Sequence, residues 1–130
     1  MVEPHILFAE DDSDTREMVQ LLLNIAGFRV SVVEESQKVL ELIKTQHFDV
    51  LLLDSWMPDM TGLELCYAVR AVNQNVPIVF CSGAASKADI EAAITAGAHG
   101  YIIKPFNPDT LIQTSSVVAK CRILNSRNVQ

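Results

Sequence analysis

The segment FDVLLLDSWMPDMTGLEL, residues Phe48 to Leu65, decides the fold. Its Val50–Leu53 run is strand length and apolar on both faces, as a strand covered on both sides of a parallel sheet should be. Asp54 ends the run, and beyond the loop Leu65, Cys66, Val69 and Val72 take up helical spacing. The same change of period recurs on either side. Short apolar runs stand at Ile6–Ala9, Val30–Val33, Ile78–Cys81 and Tyr101–Ile103. Between them, Met18, Val19, Leu22, Leu23 and Ala26 form one helical stripe, ended by Gly27 as a C-cap. Val39, Leu40 and Ile43 form another, and Ile90, Ala93 and Ile94 with Gly97 a further one. The last helix begins Asn107-Pro108-Asp109: an N-cap, a proline at the first helical position and an acid in the first turn. Its apolar positions are Leu111, Ile112, Val118 and Ala119. Five strands alternating with five helices imply right-handed crossovers and a doubly wound α/β fold, with helices on both faces of a five-stranded parallel sheet.

The chain has 130 residues, one domain's worth, of which 49 % are hydrophobic and 20 % charged. A net charge of −6 opposes binding to a phosphate backbone, so direct nucleic acid binding by this segment is not expected. Cys66, Cys81 and Cys121 form no CxxC pair and no metal-ligand spacing, and read as reduced thiols of a cytoplasmic protein. The start, MVEPHILFAEDD, has neither the basic nor the long apolar part of a signal peptide. No apolar run approaches the ~20 residues that span a bilayer, so no membrane partner is expected. The expected division is a domain over residues 1–123 and a tail over 124–130, frayed or opening a linker, because the helical pattern weakens after Arg122.

In open parallel sheets ligands bind beyond the carboxyl ends of the strands, where strand order reverses. The first strand ends in Glu10-Asp11-Asp12, the third in Asp54, the fourth in Ser82 and the fifth in Lys104. Crowded carboxylates at one edge call for a cation, and Mg²⁺ suits oxygen ligands with retained waters. Lys104 adds a fixed positive charge for an anion. A metal and a lysine beside a carboxylate make a site for phosphoryl transfer, with Asp54 as nucleophile and Ser82 as a hydrogen-bond donor. Each residue alone has a plainer reading. Asp12 and Asp14 suit helix capping, Ser82-Gly83 suits a turn, and Lys104 suits a solvated side chain. The joint pattern on separate strands favours the site.

Four stretches, ILFAEDDSDTREMV, FDVLLLDSWMPDMTGLEL, PIVFCSGA and AGAHGYIIKPF, occur in the order of a known family. From His5 to about Arg122 the chain resembles the receiver domain of bacterial two-component response regulators, of chemotaxis-regulator type. The resemblance implies a flavodoxin-like (βα)₅ fold. It also implies Asp54 as phosphoacceptor, Glu10 and Asp11 as the acidic metal pair, and Mg²⁺ held with Asp54 and the Trp56 backbone carbonyl. Lys104 matches the lysine that contacts the phosphoryl group, its bond to Pro105 normally cis. Ser82 and Tyr101 match the switch pair. The implied partners are a histidine kinase or phosphotransfer domain and a downstream target or output domain, with dimer formation on phosphorylation as a further option. The implied role is a signalling module that catalyses its own phosphorylation, not a metabolic enzyme.

The chain departs from the commonest pattern at Ser82, where threonine is usual, and at Gly83, where alanine is usual. Trp56 and Ala84 stand where many relatives carry groups that help water attack the acyl phosphate, so slow phosphate loss is expected. Against that stands a Trp56 that lies on the surface or serves a partner. Arg16 and its neighbours on the first helix are candidates for kinase docking, against the plain reading of a solvated face. Two other readings compete. A haloacid-dehalogenase-type phosphatase wants DxDx(T/V), and Asp12-Ser13-Asp14-Thr15-Arg16 places Arg16 at the fifth position. A pseudo-receiver that binds partners without phosphorylation would not need Glu10, Asp11, Asp54, Ser82 and Lys104 together.

Overall fold

A computed structural model of the chain describes residues 3–84, 86–105 and 107–128, with side chains as far as residue 120. Five strands, β1 His5–Ala9, β2 Arg29–Val33, β3 Val50–Asp54, β4 Ile78–Ser82 and β5 Gly100–Ile103, alternate with five helices. The helices are α1 Ser13–Ile25, α2 Ser36–Thr45, α3 Gly62–Val72, α4 Lys87–Thr95 and α5 Pro108–Asn128. All strand pairs are parallel and the order is β2-β1-β3-β4-β5. Strand order therefore reverses between β1 and β3.

The two-residue period of each strand divides the core cleanly. Leu7, Ala9, Leu51, Leu53, Ile78 and Phe80 face Val39 of α2, Leu65, Cys66 and Val69 of α3, and Ala93 of α4. Ile6, Phe8, Val50, Leu52, Val79, Cys81 and Ile102 face Val19 and Leu23 of α1 and Leu111 and Ala119 of α5. Every residue of β1, β3 and β4 is buried, which is why their sequences do not alternate.

Most helix ends are set locally. Asp12 caps α1 by accepting from the Thr15 amide at 2.9 Å and its hydroxyl at 2.6 Å. Asn107 caps α5 through the Thr110 amide at 2.7 Å. Gly27 and Gly97 follow α1 and α4 at φ 98° and 111°, a region that favours glycine. Three apolar positions assigned to buried stripes lie in solvent instead: Met18 at 47 %, Ile94 at 59 % and Val72 at 54 % exposed. Each sits on the shoulder of its stripe, beyond the narrower face that the sheet covers. Ala26 is exposed as well. The α5 backbone stays helical to Asn128, past the boundary expected near residue 123. A helix already nucleated gains one hydrogen bond for each added residue and needs no apolar stripe to continue. The side chain of Cys121 and residues 129 and 130 of the expected tail lie outside the described residues, as do Ala85 and Phe106.

Candidate functional site

β1 and β3 lie side by side at the point of reversal, and each ends in acid. Glu10 follows β1, its amide donating to the Val33 carbonyl at 3.0 Å, so it continues the ladder and is buried at 2 % exposure. Asp54 is the last residue of β3, 8 % exposed. Asp11, next to Glu10, is exposed. One carboxylate oxygen from each of these three residues lies within 4.8 Å of the others.

Lys104 reaches this cluster from the end of β5. Its Nζ donates to Glu10 Oε1 at 2.6 Å and stands 3.5 Å from Asp54 Oδ1. Burial works against the ammonium, but the Glu10 hydrogen bond and the charges of Asp54 and Glu10 outweigh it, and the lysine's pKa is raised. Lys104 is thus a firmly charged bridge between two acids, not a solvated side chain. The Lys104–Pro105 peptide is cis, and the Lys104 amide donates to the Ser82 carbonyl at 2.8 Å.

Ser82, 1 % exposed, ends β4, and its Oγ accepts from the Ala84 amide at 3.0 Å. Tyr101 of β5 stacks on Phe80, ring centroids 6.0 Å apart, and its hydroxyl donates to the Ala84 carbonyl at 2.5 Å. Both main-chain groups of Ala84 are therefore engaged, one by each member of the expected switch pair. Trp56 stands 70 % exposed at the loop surface, its amide 3.5 Å from Asp54 Oδ1. Gly62 closes the loop: a Cβ there would lie 2.9 Å from the Asp54 carbonyl oxygen. Cys81, paired with Asp54 in the ladder, is fully buried, and burial pushes its thiol up to about 12, so no thiolate nucleophile stands beside the acids.

Two residues not expected at the site support these loops, Asp59 and the kinase-docking candidate Arg16. Asp59 accepts from the amides of Ser36 at 3.0 Å and Gln37 at 2.9 Å, capping α2, whose own N-cap residue Glu35 makes no side-chain cap. Burial opposes the Asp59 charge, but the two amide hydrogen bonds prevail and hold its carboxyl below the usual range. Arg16 turns back onto the β1–α1 junction instead of projecting from the helix, donating to the carbonyls of Glu10 at 2.8 Å and Asp11 at 2.9 Å. No spacing rule would have found either, since both bonds depend on tertiary placement.

A cluster of carboxylates bridged by a lysine at a strand-order reversal, with a buried hydroxyl on the next strand, is a specific arrangement. The sequence pattern of the response regulator receiver domain matches residues 6–116. The chain belongs to that family. This receiver domain is 34 % identical over 110 residues to the transcriptional regulatory protein CseB of Streptomyces coelicolor, covering 85 % of the chain and 47 % of CseB. It is 31 % identical over 115 residues to the cell cycle transcriptional regulator CtrA of Caulobacter vibrioides, covering 88 % of the chain and 50 % of CtrA. The receiver domain thus spans about half the length of these curated relatives. Among solved structures, the chemotaxis response regulator CheY4 of Vibrio cholerae superposes with a TM-score of 0.84 at 32 % identity, over 90 % of this chain and 99 % of that one. The Francisella response regulator 1452 receiver domain superposes with a TM-score of 0.86 at 29 % identity, over 91 % and 98 %. The chain is therefore a signalling receiver domain of two-component response regulators, and no described helix is long and apolar enough to cross a membrane.

Proposed function

We propose that Asp54 is the phosphoacceptor of a two-component phosphorelay. Glu10, Asp11 and Asp54 hold Mg²⁺ in this reading, with the Trp56 backbone carbonyl as a further ligand. The donor set fits that ion, since all three side chains offer hard oxygens close enough to share one cation. Mg²⁺, when bound, neutralises charge that builds on the phosphoryl oxygens. An Asp54 oxygen attacks the phosphorus of a phosphohistidine on a histidine kinase or phosphotransfer domain. The new P–O bond forms as the P–N bond breaks, and the departing imidazole nitrogen takes up a proton. Lys104, already charged and 3.5 Å from Asp54 Oδ1, binds a phosphoryl oxygen. Ser82 Oγ turns from the Ala84 amide to the phosphoryl group, which frees the loop that Tyr101 also holds and shifts the population toward a second partner-binding state. The chain catalyses this one transfer to itself and is not a metabolic enzyme. Its place is the cytoplasm, where a kinase and a downstream target or output domain would meet it.

The observation that carries the reading is Lys104 bridging Glu10 and Asp54 across the ends of three strands. Intact mass after incubation with acetyl phosphate tests it. One phosphoryl group is expected with Mg²⁺, none with EDTA and none in Asp54→Asn. Absence of any gain in wild type would leave a pseudo-receiver that binds partners without phosphorylation.

A further inference from the structure

We propose that Arg16 is a positioning residue for the divalent-cation site, holding the main chain that carries Glu10 and Asp11 so that cation affinity rises although its own charge opposes it. The inference rests on reading Glu10, Asp11 and Asp54 as that site. Arg16 lies in the first turn of α1, and its backbone amide donates to the Asp12 carbonyl at 3.0 Å. From there Nη1 reaches back to the carbonyl oxygens of Glu10 at 2.8 Å and Asp11 at 2.9 Å. Nη2 stands 3.5 Å from Glu34 Oε2, just beyond β2. The side chain is 17 % exposed, against 69 % for its partner Glu34, so most of it is packed over the junction.

These contacts fix peptide planes, not carboxylates. The two residues bearing the metal pair have their carbonyls turned toward the guanidinium, and that orientation decides where their side chains start. A planar donor with fixed N–H directions holds such a turn better than a flexible one. Coulomb's law acts the other way, because a positive charge beside a cation site repels the ion. The two effects therefore predict opposite signs for one substitution. If Arg16 acted only as a nearby charge, Arg16→Gln would tighten Mg²⁺. If it positions the loop, Arg16→Gln weakens Mg²⁺. Substitutions behind a metal's ligands typically cost roughly 10-fold or more in affinity, and a loss near the lower end of that range is expected here, since the charge effect partly offsets it.

The experiment titrates MgCl₂ into the full chain and follows Trp56, the only tryptophan, by fluorescence, with calorimetry as an independent readout. Arg16→Gln is expected to weaken Mg²⁺ by roughly 10-fold. Amide hydrogen exchange in the Mg²⁺-free variant is expected to quicken over residues 11–15. A Val39→Ala variant, destabilised in the core under α2 without touching the Arg16 hydrogen bonds, is expected to keep wild-type affinity. Equal or tighter Mg²⁺ binding by Arg16→Gln overturns the proposal, as does weaker binding with unchanged exchange or an equal loss in Val39→Ala. Should Arg16→Gln not fold, Arg16→Lys, with one ammonium in place of the planar donor, carries the same test: weaker binding supports the proposal and wild-type affinity overturns it. A wild-type chain that binds no Mg²⁺ by either readout overturns the metal reading itself, whereas wild-type binding shared by the variant overturns only the role of Arg16.

Discussion

Trp56 follows Asp54 by two residues, and Ala84 follows Ser82 by two. Hydrolysis of an aspartyl phosphate needs a water held in line with the phosphorus, and neither position offers a group to hold it. The Trp56 indole can donate but cannot accept a proton, and it stands largely in solvent. Ala84 has no polar side chain, and its amide and carbonyl are already engaged by Ser82 and Tyr101. The structure thus favours slow loss through lack of orientation, and the 70 % exposure of Trp56 gives no support to shielding by the ring. Trp56→Asn, which adds an amide able to orient water without taking its proton, is expected to shorten the phosphate lifetime by roughly tenfold, short of full general-base help. The decay of phosphorylated protein, timed by intact mass after removal of the phosphodonor, checks this. An unchanged lifetime would mean that water is oriented from elsewhere.

The amino ends of the strands, opposite the site, carry a different sensitivity. His5, at the start of β1, sits against the Phe48 ring at 4.6 Å and shares a 2.8 Å hydrogen bond with Ser31 Oγ. His99, just before β5, places Nδ1 at 3.3 Å from both the Ile78 amide and Arg70 Nη2, so that nitrogen accepts. Burial lowers both pKa values; the charge of Arg29 adds to the effect at His5, where Asp49 opposes it, and that of Arg70 adds to it at His99. A folded pKa below the unfolded value of 6.5 means that unfolding takes up protons as pH falls. The stabilising contribution is complete above pH 6.5 and is lost as pH falls from there through the folded values. Urea midpoints measured from pH 7.5 to 5 are expected to fall for wild type and to change less for His5→Gln/His99→Gln. Parallel curves would assign the loss to other groups. These elements also mark how far the sequence could be read. Each strand was legible to within one residue at either end, because strand burial depends on a short local run. Asn107 and Asp12 were legible as caps for the same reason. Asp59 capping α2 from 23 residues beyond Ser36 was not, nor was Arg16 folded over β1, because no local period encodes a contact between separate loops. Glu10 and Lys104 are 94 residues apart, yet their meeting at one edge was legible, since topology alone sends strand ends there, whereas the direct ion pair between them was not.

At the scale of the whole molecule, the three acids belong to a chain with a net charge of −6. Any divalent cation could stabilise such a chain a little by general screening, so a rise in stability with Mg²⁺ does not by itself locate the ion. Linkage separates the cases. A ligand bound only by the folded state adds about 2.7 kcal/mol when present at 100 times its Kd. For a domain between the sizes usually tabulated, each kcal/mol is worth about 3–5 °C in Tm, so a saturating site adds about 10 °C. Screening instead levels off once the Debye length is short, about 8 Å at physiological ionic strength. Thermal unfolding in rising MgCl₂ at constant ionic strength is therefore expected to raise Tm with the logarithm of concentration above Kd. In Asp54→Asn, which replaces one anionic ligand with a neutral amide, the rise is expected to shrink while the fold persists, because β3 keeps its buried Val50–Leu53 run. An equal rise in the variant would place the stabilising ion elsewhere on the acidic surface, and the charge of Glu10, Asp11 and Asp54 would then be offset only in part, by Lys104.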